Sequence, residues 1–318
     1  MDLPAQAPED QFRFMNILAL EAENLGFDSI WLSDHFHTMP IVRNVSCFEC
    51  WTTLTALAAR TERVGIGQIV TCNSYRNPAL LAKMASTLDV ISNGRLEFGI
   101  GAGWYNTEYK AYGFPVERPS TRIEKLSEAV QIIIKMWTED RTTFHGKYYN
   151  LENAINYPKP IQKPRPRIMI GGSGERLLRV VAQYADQCNL SGSTGNCSIK
   201  LQILRKHCGS INRNFDEIEK TLSTDLVIQE TSEKVEDFLH GMKEAGIICG
   251  AYGDDDKFQP LSIDEYKKSI LIGTPSECLE QIMNYHKLGF TSYQFFFPLM
   301  DQLESLRLFA RRVLPSLR

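Results

Sequence analysis

Polar and apolar residues follow two different periods along this chain. Short apolar runs, four to seven residues long, are separated by longer segments in which apolar residues recur every three or four positions. The first pattern suits a buried strand and the second one face of a helix. Their alternation predicts repeated βα units and a parallel sheet. A helix over 9–25 stops at Gly26 and a strand over 28–33 (DSIWLS) follows. A helix over 49–61 leads into a strand over 64–70 (VGIGQIV). Pro78 suits the first turn of a helix, where its missing N–H is not needed. That helix runs to Ser92, and Asn93-Gly94 turns the chain into a strand over 95–100.

The longest helix is expected over 120–137, and a hairpin over 142–151 turns at His145-Gly146. Pro158, Pro160, Pro164 and Pro166 then keep the chain extended, because a proline ring pushes the residue before it out of helical geometry. A strand over 167–170, a helix over 175–185, a strand over 188–190, a helix over 198–212 and a strand over 222–228 continue the rhythm. A helix over 275–288, a strand over 292–297 and a closing helix to Leu314 complete it. Residues 246–269 break the pattern with a polar, glycine-bearing stretch containing Asp254-Asp255-Asp256. An insertion of this length reads either as a lid facing the substrate or as a solvated surface loop.

Seven strong strands result, whereas the closed barrel that this rhythm predicts needs eight. The missing one should precede the first helix, where residues 1–8 (MDLPAQAP) carry two prolines and little β character. The expected fold is therefore one α/β domain over 1–318, a (β/α)8 TIM-type barrel with insertions and a weak or missing first strand. Composition agrees: 43% of residues are apolar and 23% charged, enough for a substantial core. A formal net charge of -3 offers no field for nucleic acid or an anionic membrane. The start is not basic and no long uncharged apolar run follows, so a cytoplasmic protein with no membrane partner is expected. Eight cysteines are too dilute for a disulfide scaffold. Cys47 and Cys50 have Cys-x-x-Cys spacing but no second pair or histidine at zinc-site distance, so no metal is expected.

Chemistry in such a barrel sits at the carboxyl ends of the strands. DSIWLS is followed by Asp34-His35-Phe36-His37, which puts an imidazole on a rigid element at the mouth. It can exchange a proton near neutral pH, as redox chemistry at a carbonyl or alcohol carbon requires, although an isolated histidine can equally be structural. Gly99-Ile100-Gly101-Ala102-Gly103-Trp104 imitates a dinucleotide fingerprint, but Trp104 replaces its last glycine. Its glycines suit close approach by a flat ring or a strained turn. Ile170-Gly171-Gly172-Ser173-Gly174-Glu175 joins strand to helix and so gathers free N–H groups at the positive end of a helix dipole, as at a phosphate site. The other reading makes Ser173 a plain helix cap. Thr71 to Pro78 (TCNSYRNP) could read the edge of a heterocycle or only start a helix.

These motifs, in this order, resemble one family. Gly26-Phe27-Asp28-Ser29-Ile30-Trp31 with Asp34-His35-Phe36, Tyr75-Arg76-Asn77-Pro78-Ala79, Leu88-Asp89 with Ser92-Asn93-Gly94-Arg95, Gly101-Ala102-Gly103-Trp104 with Glu108 and Tyr112-Gly113, Ile170-Gly171-Gly172 and Gly273-Thr274-Pro275 resemble the bacterial luciferase-like monooxygenase superfamily. Within it they are most similar to oxidoreductases that use the deazaflavin F420. The resemblance covers residues 9 to 315 and implies a homodimeric barrel that moves a hydride between carbon 5 of F420 and a small organic substrate. It implies His35 as the catalytic residue. It implies Asp34, Ile69, Val70, Asn73, Gly101, Ala102, Gly103, Gly171, Gly172 and Ser173 as cofactor contacts, with a non-prolyl cis peptide at Ile69-Val70. It implies His37, Trp104 and Glu108 as substrate pocket. Two departures narrow the substrate. Trp104 stands where sugar-phosphate dehydrogenases of this branch carry a glutamate, and the tryptophan that often follows the active histidine is replaced near Met39. Both argue against a sugar phosphate; the substrate expected for the hydride transfer is an alcohol, aldehyde or enone. The alternative within the family is an FMN-dependent monooxygenase using O2, and a third reading is a non-catalytic flavin-binding subunit.

Overall fold

In the computed structural model, which describes residues 7–39, 42, 44–252, 257–298 and 301–318, the βα rhythm appears almost unit by unit. Helix α1 (Pro8–Leu25) starts on a proline and ends where Gly26 takes a left-handed conformation. Strand β1 (Ser29–Leu32) follows, then α2 (Cys50–Ala58), whose first N–H groups donate to the Glu49 carboxylate. The strand expected over 64–70 is two pieces, β2 (Gly65–Gln68) and β3 (Thr71–Cys72), flanking a cis peptide between Ile69 and Val70. Next come α3 (Pro78–Ile91), β4 (Leu96–Gly101), α4 (Asn106–Ala111) and α5 (Pro119–Thr138). The hairpin β5 (Thr142–His145) and β6 (Asn150–Ala154) precedes β7 (Ile168–Gly171), α6 (Glu175–Tyr184), β8 (Gln187–Leu190), α7 (Thr194–Ser210) and β9 (Glu219–Ile228). The chain then forms α8 (Ser232–Glu244), β10 (Cys249–Tyr252), β11 (Lys257–Pro260), α9 (Ile263–Lys267), β12 (Leu271–Gly273), α10 (Pro275–His286), β13 (Phe290–Phe296) and α11 (Gln302–Arg312).

Strands β1, β2, β4, β7, β8 and β9 lie side by side in that order, every pairing parallel. Strand β13 pairs in parallel along residues 220–225 of β9, and β12 takes over along its last three residues. The result is a nearly closed TIM-type barrel. Outward side chains meet the helices: Phe98 of β4 packs between Trp51 of α2 and Trp137 of α5, at centroid distances of 6.2 and 5.0 Å. Inside, Trp31 lies against Gly67, where any added methyl group would overlap the indole. Asn189 ties three strands together, donating to Thr221 at 2.8 Å and Gln294 at 3.0 Å and accepting from Ser223 at 2.9 Å.

The two ends of the strand order, β1 and β13, are not paired with each other among the described residues. Side chains close that seam. Phe27 meets Phe297 edge-on at 6.5 Å and stacks on Phe309 at 5.9 Å. Arg307 pairs with Glu21 at 2.7 Å, and the Arg318 guanidinium donates to the carbonyl of Gly26. Of the segment expected to hold a weak strand, 1–6 lie outside the described residues, and Pro8 already belongs to α1.

Residues 246–269 are neither a bare loop nor unstructured. They form the antiparallel hairpin β10–β11 and helix α9, with Asp254 to Asp256 outside the described residues. With α8 and β12 they pack a small second core of Val227, Val235, Leu239, Met242, Ile248, Tyr266 and Ile270.

Candidate active site

The turn leaving β1 is braced from behind before it presents anything. Asp34 is fully buried, accepts two bonds from the Arg76 guanidinium (2.6 and 2.9 Å) and one from the Cys72 N–H at 2.9 Å. Arg76 also bonds Glu49 at 2.6 Å. Burial opposes the charge on Arg76, but these carboxylates hold it more firmly protonated than usual. The thiols of Cys47 and Cys50 donate to the carbonyls of His35 and Leu32. Asp34, expected as a cofactor contact, therefore does not line the cleft. With no exposed side-chain surface and all its bonds internal, it fixes the strand exit to β3 and α2.

His35, next in sequence, points the other way and keeps 18% of its side-chain surface exposed. Its Nδ1 lies 2.9 Å from Glu108 of α4. Glu108 is fully buried and also accepts from the Tyr75 hydroxyl at 2.7 Å and from the N–H groups of Phe36 and His37 at 2.6 and 2.9 Å. Burial alone would push this carboxyl up, but the bonds from His35, Tyr75 and the His37 backbone outweigh it and hold it below the ordinary value. Burial leads the causes that keep Tyr75 protonated. An acceptor-only carboxylate taking three other donors requires Nδ1 of His35 to carry a proton, which leaves Nε2 as the variable nitrogen. Glu108 was expected in the substrate pocket; having no exposed surface, it instead positions His35 and the turn that carries it.

At the neighbouring strand end, beside the cis bond, the Val70 side chain lies against β4 and β7. A methyl group added at Gly101 would come within 2.8 Å of the Val70 side chain, and one at Gly171 within 2.9 Å. These two glycines make room for Val70; the sequence had offered a flat ring or a strained turn as reasons for Gly101. Gly103 has φ +76° and backs onto Tyr109 and Cys72. Ala102 is 9% exposed, and Ile69 and Val70 are half-buried. Asn73 is buried, its amide donating to the Tyr149 hydroxyl at 3.4 Å while its Oδ1 has no protein partner. Asn77 is simply the N-cap of α3.

Gly172, Ser173 and Gly174 form an exposed loop into α6, and Gly172 has φ +131°. The cap of α6 is Gly174, with no side chain bonded to the helix end. Ser173 is thus not a cap, and the first turn of α6 opens toward solvent without a side-chain acceptor. Trp104 is 41% exposed at the end of β4. Its ring and that of Tyr105 lie 6.0 and 5.9 Å from the His35 ring. The His37 ring packs on Tyr112 at 5.5 Å. The sequence gave no role to Tyr75, Arg76 or Tyr105, although TCNSYRNP contains the first two. Phe258 of β11 was hidden in the insertion, yet its ring lies 6.0 Å from Trp104 and 6.3 Å from Tyr105.

Parallel barrels work at these strand ends, and an imidazole held by a buried carboxylate after one strand, with an uncovered helix start after another, fits a barrel enzyme acting on a small molecule. More narrowly, the chain belongs to the luciferase-like monooxygenase family, whose model matches residues 2–292, and it is an oxidoreductase. It is similar to an F420-dependent glucose-6-phosphate dehydrogenase of Kineococcus radiotolerans, at 30% identity over 94% of this chain and 91% of that protein. An FMNH(2)-dependent dimethylsulfone monooxygenase of Pseudomonas putida is 26% identical over 85% of this chain and 78% of its own length. An F420-dependent secondary alcohol dehydrogenase, solved with an F420-acetone adduct, has the same fold: TM-score 0.80 at 20% identity, covering 97% of this chain and 96% of that one. Among the described residues no helix is long and apolar enough to cross a membrane.

Proposed function

We propose that this enzyme moves a hydride between F420 and an alcohol, aldehyde or enone, with His35 as the proton partner. The observation that carries the reading is the buried Glu108 carboxylate holding Nδ1 of His35 at the mouth of the barrel. F420, when bound, supplies a carbon that gives or accepts a hydride as a two-electron unit. The N–H groups of Ser173 and Gly174 at the uncovered start of α6 would receive its phosphate. The unpartnered Oδ1 of Asn73 would accept from the ring edge, and Ile69, Val70 and Ala102 would form its apolar bed.

The protein's own part is proton control. Glu108 keeps one proton on Nδ1, so exchange with the substrate oxygen runs through Nε2. In reduction, Nε2–H of the imidazolium passes its proton to the oxygen as the neighbouring carbon gains the hydride; in oxidation the bare Nε2 takes it back. Trp104 and Tyr105 flank this nitrogen's ring and limit the water that competes for the proton.

The Pseudomonas putida relative supports a second reading, FMN-dependent oxygenation. Titrating the purified protein with F420 and with FMN, followed by fluorescence and absorbance, separates the two. Tight F420 binding with weak FMN binding is the expected result. The reverse preference transfers the protein to oxygenation, and binding of neither overturns both. A homodimer belongs to the same proposal, supported by exposed Leu80, Val90 and Ile91 on α3.

A further inference from the structure

The insertion supplies an aromatic residue to the mouth of the barrel from far along the chain. Phe258 of β11 meets Trp104 at 6.0 Å and Tyr105 at 6.3 Å, both at steep angles of 70° and 71°. Trp104 and Tyr105 lie 5.2 Å apart, and each stands edge-on to His35. Four rings thus form one continuous chain of contacts from the His35 imidazole to the hairpin, with Tyr105 buried behind the exposed Trp104. Trp104 leaves 41% of its area exposed there, an apolar surface beside reacting atoms with nothing of the described chain covering it.

Charge on this rim is already spoken for. Arg76 is tied to Asp34 and Glu49, Glu108 is buried beneath His35, and among the described residues no Lys or Arg stacks over Trp104, Tyr105 or Phe258. At these rings the described residues give a phosphorylated or carboxylated substrate no stacked cation. A flat apolar one would bury the exposed indole and gain offset or edge contacts, which aromatic pairs favour.

We infer that Phe258 and Trp104, backed by the buried Tyr105, form a specificity wall that selects planar, uncharged, conjugated alcohols or carbonyl compounds over aliphatic and phosphorylated ones. The inference rests on the hydride-transfer reading for its reaction but not for its binding surface. The step is unchanged: a primary allylic or benzylic alcohol loses a hydride from carbon to oxidised F420 and a proton from oxygen to Nε2 of His35, leaving the aldehyde, and reduction runs in reverse.

The test compares cinnamyl alcohol, propan-1-ol and glucose 6-phosphate on wild type, Phe258→Ala and Phe258→Tyr. Calorimetry on cofactor-free protein reads binding alone, and kcat/KM is measured with F420 present. Wild type should bind cinnamyl alcohol at least tenfold more tightly than either other compound. Phe258→Ala should weaken cinnamyl alcohol about tenfold, through KM more than kcat, and shrink its kcat/KM advantage over propan-1-ol by the same factor. Phe258→Tyr should restore most of both. Circular dichroism confirms that the variants are folded; Trp104→Ala, which leaves the hairpin sequence intact, must lower the same preference if Phe258→Ala does not fold. Equal binding of the three compounds, tighter binding of glucose 6-phosphate, or an unchanged preference in Phe258→Ala overturns the wall. Calorimetric selectivity without F420 turnover supports the wall and counts against the hydride-transfer reading alone.

Discussion

Glu108 joins three donors of the β1 exit and the Tyr75 hydroxyl on one carboxylate, so replacing it acts on shape and chemistry together. Glu108→Ala leaves buried donors without an acceptor and should cost about 3–5 kcal/mol, read from urea midpoints. The pH dependence follows from the sign of its shift. Glu108, Glu49 and Glu23 all lie below the ordinary carboxyl value when folded: burial works against each, and the hydrogen bonds they accept prevail. Their stabilisation is complete above about pH 4.3, the unfolded value, and is lost as pH falls through the lower folded values. Urea titrations between pH 7 and 3 should show the loss, and Glu108→Gln should flatten it. His35→Ala keeps the fold and should lower turnover by about 10²–10⁴ with F420 affinity within about twofold; steady-state kinetics and fluorescence titration check the two. Unchanged turnover would remove His35 from the mechanism. The sequence singled out Asp34, His35 and Glu108, but not that Asp34 and Glu108 are buried while His35 keeps an exposed edge. A strand exit can be read from pattern, whereas the direction of two adjacent side chains depends on a partner, Arg76, that lies 42 residues further along.

Among the elements, β2, β4 and β7 share one packing problem, solved by glycine. Val70 fills the space that Gly101 and Gly171 leave, so Gly101→Ala should press a methyl group on Val70 and cost about 1–3 kcal/mol. The midpoint of urea unfolding measures it, and Val70→Ala in the same chain should recover part of the loss. The sequence announced these glycines but not their neighbour, because Val70 reaches them only where the strand breaks at 69–70. Helix α8 and strand β12 escaped notice for another reason. SEKVEDFLHGMKE carries only a thin apolar stripe, enough for the small core it shares with Ile248 and Tyr266 but too weak to stand out beside the barrel helices. Whether α6 is capped was not legible, since Ser173 could have served as its N-cap; in the structure Gly174 takes that position.

At the scale of the molecule, the alternation of strand and helix was the clearest message of the chain: the seven strands counted from it all lie in the main sheet, which among the described residues also holds the short strands β3 and β12. The insertion's hairpin could not be foreseen, because its contacts with Trp104 and Tyr105 cross some 150 residues of sequence. The homodimer proposed above predicts that Leu80→Asp, on the exposed face of α3, halves the mass seen by sedimentation equilibrium; a monomeric wild type would end that proposal.

The side-chain seam between α1 and α11 sets an order of events during synthesis. Glu21 and Arg307 stand 286 positions apart, and Gly26 waits for Arg318, 292 positions later. Contacts of such separation form late, because the loop they close must be ordered first. The α11 side of helix α1 is thus covered late, and Phe27 gains its partners only once Phe297 and Phe309 have been made. Until those residues emerge, the unfinished chain offers chaperones an aromatic handle at Phe27.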